Sequence, residues 1–263
     1  MINKNKRITP DEINLKSFEF KGKLNPKVWE NNKLKSNIRE KLINIAKKFV
    51  MSTDIDFIPV DIVIVGSLAG FNWSKYSDID LHIMVNFKDI NDNVELVKNY
   101  FDAKKNAWNE KHTNLKIYNY DVELYVQDVN EENASNGIYS IKYNHWIKVP
   151  KMAHKELQDE IIKETAATYI NKIIYYNEKF YELSTDRQFI ILNQKVNYLY
   201  DLIRNGRKES LAEEGEQAAG NIVFKILRRS GHFGMLKNLK DMIYDRINSI
   251  GENFKVSDDK LIV

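Results

Sequence analysis

The sequence predicts an α+β protein in which a small mixed sheet flanked by helices precedes a C-terminal helical bundle. Strand-type and helix-type runs alternate before Pro150, and the three- and four-residue spacing of helices dominates after it. A length of 263 residues is comfortable for two modest domains. We therefore expect one domain over residues 1–150 and a helical domain over residues 151–263.

Three segments of the first domain predict strands. Residues 60–65 form a nearly continuous β-branched run, which is typical of a central strand covered on both faces. Residues 78–85 and 116–127 alternate apolar with polar side chains, which indicates strands with one buried face. Residues 137–141 and 145–149 predict a further hairpin.

Helical periodicity surrounds these strands. Apolar residues recur at three- and four-residue steps over residues 34–49 and 91–111, which predicts two amphipathic helices. Residues 1–30 predict an irregular arm that packs on the body of the domain, because they contain several aromatic and aliphatic residues.

Beyond Pro150 the apolar stripes predict four helices, over residues 162–183, 189–203, 222–227 and 236–247. The dipeptide Asn205-Gly206 follows the second stripe. Because glycine commonly occupies the position just after a helix, we expect the second helix to end there.

The composition excludes several classes of protein. Lys and Arg number 40 against 37 Asp and Glu, and the formal charge of +3 is too small to indicate a nucleic-acid binder by itself. The absence of cysteine excludes disulfides and cysteine-ligated zinc, and it favours a reducing compartment. Residues 1–23 are polar and lysine-rich, unlike a secretory signal, and no apolar run is long enough to span a bilayer. We expect a cytoplasmic protein without a membrane partner.

The segment richest in chemistry is a predicted strand that ends in Gly66-Ser67 and is followed, after ten residues, by Asp78 and Asp80. Glycine lets the backbone approach a phosphate closely, and the Ser67 hydroxyl and nearby N–H groups can donate to phosphate oxygens. Asp78 and Asp80 lie two apart on a strand and therefore project from one face. Adjacent carboxylates repel unless a divalent cation lies between them, and Mg²⁺ prefers such oxygen ligands. A third carboxylate on a neighbouring strand would complete a two-metal site for nucleotidyl transfer.

This ordered pattern resembles the polymerase-β-like nucleotidyltransferase superfamily. Its members combine a hydrophobic strand, Gly-Ser, a short spacer, Asp-x-Asp and a later carboxylate between hydrophobic residues. Gly66, Ser67, Asp78 and Asp80 match position by position. The segment of residues 120–128 is also similar to uncharacterised nucleotidyltransferases encoded by tailed phages.

Two residues are candidates for the third carboxylate position of this pattern. Glu123 lies between clean aliphatic residues and is preferred, whereas Asp121 is the alternative. Both project from the same face of the predicted strand, so the sequence leaves both open.

The resemblance implies that Asp78, Asp80 and Glu123 are catalytic and bind two Mg²⁺ or Mn²⁺ ions, with Gly66 and Ser67 beside a nucleoside triphosphate. It implies transfer of a nucleoside monophosphate to an acceptor hydroxyl, with release of pyrophosphate. The acceptor stays open among a protein side chain, a small hydroxylated molecule, an RNA 3′ end and a second nucleotide.

Three basic residues and one histidine are further candidates. Lys75, in the loop before the aspartates, is predicted to touch phosphate or to be an ordinary solvated lysine. Lys225 and Arg228 share a helix face, and similar enzymes often grip the triphosphate with such a helix; a solvated face is the equally weighted alternative. His82 either contacts substrate or is a hydrogen-bonded strand residue.

A different class of function is a catalytically inactive nucleotide- or nucleic-acid-binding module of the same fold. The chain has carboxylates at all three motif positions, and loss of one commonly marks an inactive copy. The sequence therefore favours the enzyme.

Overall fold

The structure is a computed structural model that describes residues 6–152 and 157–249. Over these ranges the chain is an α+β protein with six α-helices and a six-stranded mixed sheet, which confirms the predicted fold class at that level. It divides into two compact units, Asn14–Glu156 and a second unit of Met1–Ile13 with Leu157–Val263. None of the helices in the described ranges is long and apolar enough to cross a membrane.

The start of the chain groups with the helical unit, whereas the sequence led us to expect it with the sheet. The Ile8 N–H donates to Asn171 Oδ1 at 2.9 Å, and the Ile8 carbonyl accepts from Asn171 Nδ2 at 2.8 Å. Ile8 and Ile13 are also buried. The sheet unit therefore begins at Asn14, and residues 1–5 of the predicted arm lie outside the described part of the chain.

The first unit opens with a short strand pair and continues into the main sheet. The strands are β1 (Trp29–Glu30), β2 (Lys33–Leu34), β3 (Asp61–Val65), β4 (Ile79–Val85), β5 (Lys116–Ile117), β6 (Tyr120–Asp128), β7 (Ile138–Ser140) and β8 (His145–Lys148). The main sheet has the order β5-β6-β4-β3-β7-β8. Strands β4 and β6 run parallel and the other neighbours antiparallel, so the predicted mixed sheet is confirmed.

Two helices accompany this sheet, α1 (Ser36–Met51) and α2 (Val94–Lys111). Helix α2 connects the parallel strands, and the Asn93 side chain caps it by accepting from the Leu96 N–H at 3.1 Å. Alternate residues of β4 are buried in the core, and Asp80 and His82 lie on its other face, which is only half-buried. The helices and strands share one core, which includes Ile38, Leu42, Phe49, Ile64, Ile79, Leu81, Ile83, Phe101, Leu124 and Val126.

The prediction of one continuous strand over residues 116–127 was wrong, because this segment is a hairpin. Strands β5 and β6 pair antiparallel around a turn in which Tyr118 has a φ of 54°. A left-handed residue reverses the chain, and alternation continues across this short turn, so periodicity gives no sign of it. The hairpin predicted from residues 137–149 is confirmed as β7 and β8.

The helical unit contains α3 (Asp159–Phe180), α4 (Asp186–Glu214), α5 (Ala219–Arg229) and α6 (His232–Asn248). The prediction that the second helix ends at Asn205-Gly206 was wrong, since α4 continues to Glu214 and Gly215 follows with a φ of 79°. A methyl carbon on Gly220 of α5 would lie 2.6 Å from the Gly206 carbonyl oxygen. Gly220 thus allows α5 to approach α4 closely at this point.

Candidate active site

Gly66 lies at the turn where β3 ends, with a φ of 72° that favours glycine. A methyl carbon built on it would lie 1.9 Å from Asp80 Oδ2, well inside van der Waals contact. The space beside the Gly66 backbone is therefore filled by the Asp80 carboxylate. This contact joins the turn after β3 to the start of β4.

Strand register brings Asp80 and Glu123 opposite each other. In the parallel ladder of β4 and β6, Asp80 pairs with Glu123, and in the antiparallel ladder of β3 and β4, Val65 pairs with Asp80. Neighbouring strands lie about 4.8 Å apart. The Gly66 turn, Asp80 and Glu123 therefore form a row across three adjacent strands at one end of the sheet.

Asp121, the alternative third carboxylate, occupies a different position. It pairs with Lys116 in the β5–β6 hairpin, and Lys116 Nζ lies 2.6 Å from Asp121 Oδ1. In the parallel ladder Val122 pairs with Ile79, so Asp121, one residue earlier in β6, lies level with Asp78. The register with Asp80 favours Glu123, which is also exposed.

Asp78 lies just before β4 and is half-buried. The loop leading to it is fastened to the Gly66-Ser67 turn, because Ser67 Oγ donates to Ser77 Oγ at 2.8 Å and Ser77 Oγ also accepts from the Ser74 N–H at 2.9 Å. The Ser67 hydroxyl, predicted as a phosphate donor, thus bonds to Ser77 in this structure. The serine pair links the two halves of the motif across the ten-residue spacer.

Of the three predicted cations, Lys75 belongs to the loop before β4 and the other two belong to the helical unit. Lys75 is exposed, and its Nζ lies 5.0 Å from the centre of the Tyr76 ring. Lys225 and Arg228 belong to α5 of the helical unit, where Lys225 Nζ lies 3.5 Å from Glu216 Oε2 and Arg228 is exposed. The sheet unit by itself brings together Gly66, Ser67, Asp78, Asp80 and Glu123.

A cleft of about 600 Å³ extends from Asp80 and Glu123 on the side away from β3. Its lining includes five residues that were not singled out from the sequence: Lys105, Asn109, His112, Thr113 and Tyr125. Alternation along β6 could have identified Tyr125, which shares a face with Glu123. The α2 residues give no comparable signal, because a polar helix face is ordinarily solvated.

His82 lies two residues beyond Asp80 and lines the same cleft. Its Nδ1 lies 2.8 Å from Gln127 Oε1, and Gln127 Nε2 donates to the Glu131 carbonyl at 3.1 Å. Burial lowers the pKa of His82, the charge of Lys105 lowers it further, and the bond to Gln127 opposes both. His82 is therefore a hydrogen-bonded strand residue, as one of the two predicted alternatives has it, and it lies beside the carboxylates, so a contact with substrate stays a prediction.

The three carboxylates are suitable ligands for a divalent metal, since Mg²⁺ prefers carboxylate oxygens. The packing of Asp80 against the Gly66 backbone would hold one of these ligands in place. Across the part of the chain that the structure describes, however, no group of three or more His, Asp or Glu side chains is arranged to hold a metal ion. The strands thus align Asp80 and Glu123. In the described residues, however, the side chains of Asp78, Asp80 and Glu123 are not arranged as a complete metal site.

Comparison of the chain with models of protein families, with curated proteins and with solved structures gave no match. The arrangement of residues in the sheet unit is therefore the basis for assigning a function.

Proposed function

We propose that this protein is a metal-dependent nucleotidyltransferase, with the unit Asn14–Glu156 as its catalytic domain. The reaction moves a nucleoside monophosphate from a nucleoside triphosphate to an acceptor hydroxyl and releases pyrophosphate. The observation that carries the proposal is the position of Asp80, which is in register with Glu123 and packs against the Gly66 backbone. This geometry unites the separate parts of the motif that resembles polymerase-β-like nucleotidyltransferases.

The Gly66-Ser67 turn would present backbone N–H groups beside the carboxylates, and the triphosphate would lie against them. Asp78 and Asp80, at the start of β4, would provide carboxylate oxygens as metal ligands. When bound by Asp78, Asp80 and Glu123, two Mg²⁺ or Mn²⁺ ions would neutralise the triphosphate and acidify the attacking hydroxyl. Lys75 is proposed as an additional cation for the triphosphate, and its alanine variant should raise KM for the nucleotide.

In the reaction the acceptor oxygen forms a bond to the α-phosphorus. The bond from that phosphorus to the oxygen bridging the β-phosphate breaks, and pyrophosphate leaves with the electron pair. Glu123, an exposed carboxylate, would accept the proton of the acceptor hydroxyl. The number of bonds to phosphorus is conserved, and no oxidant or reductant is needed.

The test incubates the full chain with each α-labelled nucleoside triphosphate and Mg²⁺ or Mn²⁺. Protein, small-molecule, RNA and nucleotide acceptors are supplied in turn, and both the label and pyrophosphate are followed. We expect label transfer with pyrophosphate release, and loss of both in Asp80→Asn and Asp78→Asn. Asp56→Asn changes an exposed aspartate of the same unit and is the matched control.

Circular dichroism and thermal unfolding establish that the variants are folded. Full activity in a folded Asp78→Asn, Asp80→Asn double variant would overturn the assignment. Nucleotide binding without pyrophosphate release from any triphosphate, with every class of acceptor, would instead favour the inactive binding module.

A further inference from the structure

We infer that the cleft between β6 and α2 binds the acceptor, that this acceptor is a hydroxyl-rich small molecule without negative charge, and that His82 Nε2 accepts a hydrogen bond from it. The inference rests on the proposed function and names the substrate class of that same site. Three features of the cleft carry it: its place beside the carboxylates, its charge balance and the fixed orientation of His82.

The cleft lies on the opposite side of Asp80 from the Gly66-Ser67 turn. In the strand order, β3 with its turn is on one side of β4, whereas β6 with Glu123 is on the other. If the triphosphate lies over the turn, the remaining space next to Glu123 is the cleft. A volume of about 600 Å³ suits a small organic ligand, for which pockets of about 300–1,000 Å³ are usual.

The part of the cleft beyond Asp80 and Glu123 has both polar and apolar residues in its lining, and its charged side chains are paired. Lys105 Nζ lies 2.8 Å from Asp102 Oδ1 and 4.9 Å from the centre of the Tyr125 ring. Asp121, in turn, is paired with Lys116 at 2.6 Å. Nucleic acids and nucleotides are held by an excess of cations on their phosphates, which this charge arrangement does not supply. The balance favours an uncharged or cationic acceptor.

The orientation of His82 is set by Gln127, which is 2% exposed. Because Gln127 Nε2 donates to the Glu131 carbonyl, Oε1 is the atom that faces His82 Nδ1, and it also accepts from Asn133 Nδ2 at 3.2 Å. An amide oxygen only accepts, so the proton of the neutral ring is on Nδ1. Nε2 therefore has the lone pair.

His82 Nε2 has no hydrogen-bond partner in the part of the chain that the structure describes, and it is not a fully buried atom. It lines the cleft together with other groups that bind hydroxyls, namely Asn109, Thr113 and Tyr125. A hydroxyl or amino group of the acceptor would donate to Nε2 while a neighbouring hydroxyl reaches Glu123.

The first arm of the test is binding. The full chain, labelled with ¹⁵N at its histidine rings, is titrated with glycerol, glucose and glucosamine, and in parallel with adenosine monophosphate and a short RNA that ends in a free 3′ hydroxyl. The chain has five histidines, and His82→Phe identifies the His82 signals. We expect the uncharged and cationic probes to shift Nε2 at lower concentration than the anionic ones.

The second arm is transfer of label from the nucleotide to the same probes. We expect His82→Phe to raise KM for the hydroxylated acceptor about tenfold, as loss of one hydrogen bond predicts, with kcat and KM for the nucleotide little changed. His145→Phe replaces an exposed histidine on β8, outside the cleft, and is the matched control. Thermal unfolding establishes that both variants are folded.

The two proposals fail in different ways. Transfer to RNA or to a nucleotide in preference to every uncharged and cationic probe would overturn the inference about the acceptor. It would still support the proposed nucleotidyltransferase activity. A shift of Nε2 by uncharged probes, without pyrophosphate release from any triphosphate, would support the cleft as a binding site and contradict the enzyme. An unchanged acceptor KM in folded His82→Phe would overturn the role of His82.

Discussion

The carboxylate of Asp80 occupies the space that any side chain at Gly66 would need, since a methyl carbon there would lie 1.9 Å from Asp80 Oδ2. The two residues are fourteen positions apart in the sequence and meet because β3 and β4 are antiparallel neighbours. Glycine is thus required at residue 66 for two reasons, a left-handed backbone and a carboxylate packed against it. The candidate active site depends on this contact.

Gly66→Ala should lower both activity and stability. The φ of 72° opposes any residue other than glycine by about 1–2 kcal/mol, and the new methyl group would displace Asp80. We expect pyrophosphate release to fall at least about tenfold, since a small misplacement of a reacting group has effects of that size or larger.

Gly206→Ala is the control for this change. A methyl group on Gly206 meets nothing within 4 Å, and the residue lies inside α4. Alanine there should raise the free energy of unfolding by about 0.5–1 kcal/mol, measured by urea denaturation. Equal activity of Gly66→Ala and the parent chain would contradict the contact with Asp80.

Glu123→Gln and Asp121→Asn should separate the two candidates for the third carboxylate. Because Glu123 is in register with Asp80, removing its charge should reduce kcat by about 100-fold or more, as expected for loss of a proton acceptor. Asp121 is engaged by Lys116 near the surface, so Asp121→Asn should alter the free energy of unfolding by about 1 kcal/mol or less. The reverse order of the two activities would assign the role to Asp121.

Ser140→Ala should destabilise the sheet unit. The fully buried Ser140 Oγ donates to Asp61 Oδ1 at 2.8 Å, and that oxygen also accepts from the Ile62 N–H at 2.6 Å. Loss of the hydroxyl removes a buried hydrogen bond to a carboxylate, worth about 1–3 kcal/mol in urea unfolding. Ser184→Ala, at an exposed position, is the control and should change stability by about 0.5 kcal/mol at most.

Tyr125 should make stability fall at high pH. Burial, with smaller contributions from Glu131 and Asp102, raises the pKa of Tyr125 to about 12 from an ordinary value of 10.0. The unfolded chain therefore loses this proton first as the pH rises. The stabilisation that the protonated Tyr125 gives to the folded chain is thus complete below pH 10 and is lost by about pH 12. Urea unfolding across this window should show a smaller decline for Tyr125→Phe, and a decline parallel to that of the parent chain would contradict the shift.

The sequence predicts most of the fold of the sheet unit because the signals are local. The β-branched run before Gly66 is β3, fully buried as expected of a central strand, and the alternation after Asp78 is β4. Apolar spacing likewise located α1 and α2 to within a few residues. Each of these patterns reports the environment of a single segment.

The errors arise where one signal has two physical causes. Glycine at residue 206 suggested a helix end, yet α4 continues through it to Glu214, and the residue type alone does not distinguish a glycine inside a helix from one at its end. Alternation over residues 116–127 continued across a turn at Tyr118, so one strand was predicted where two exist. In both cases the local pattern of residues fits two different structures.

The residues of the motif, Gly66, Ser67, Asp78 and Asp80, were determined by the sequence alone, because residue type and spacing along one chain are sufficient to recognise them. Tertiary structure decided which later carboxylate stands opposite Asp80, and it put His82, Tyr125 and the polar face of α2 around one cleft. Register between strands and the docking of a helix are set by the packing of the whole core. No local pattern encodes them, and for this reason the acceptor side of the site emerged only from the folded chain.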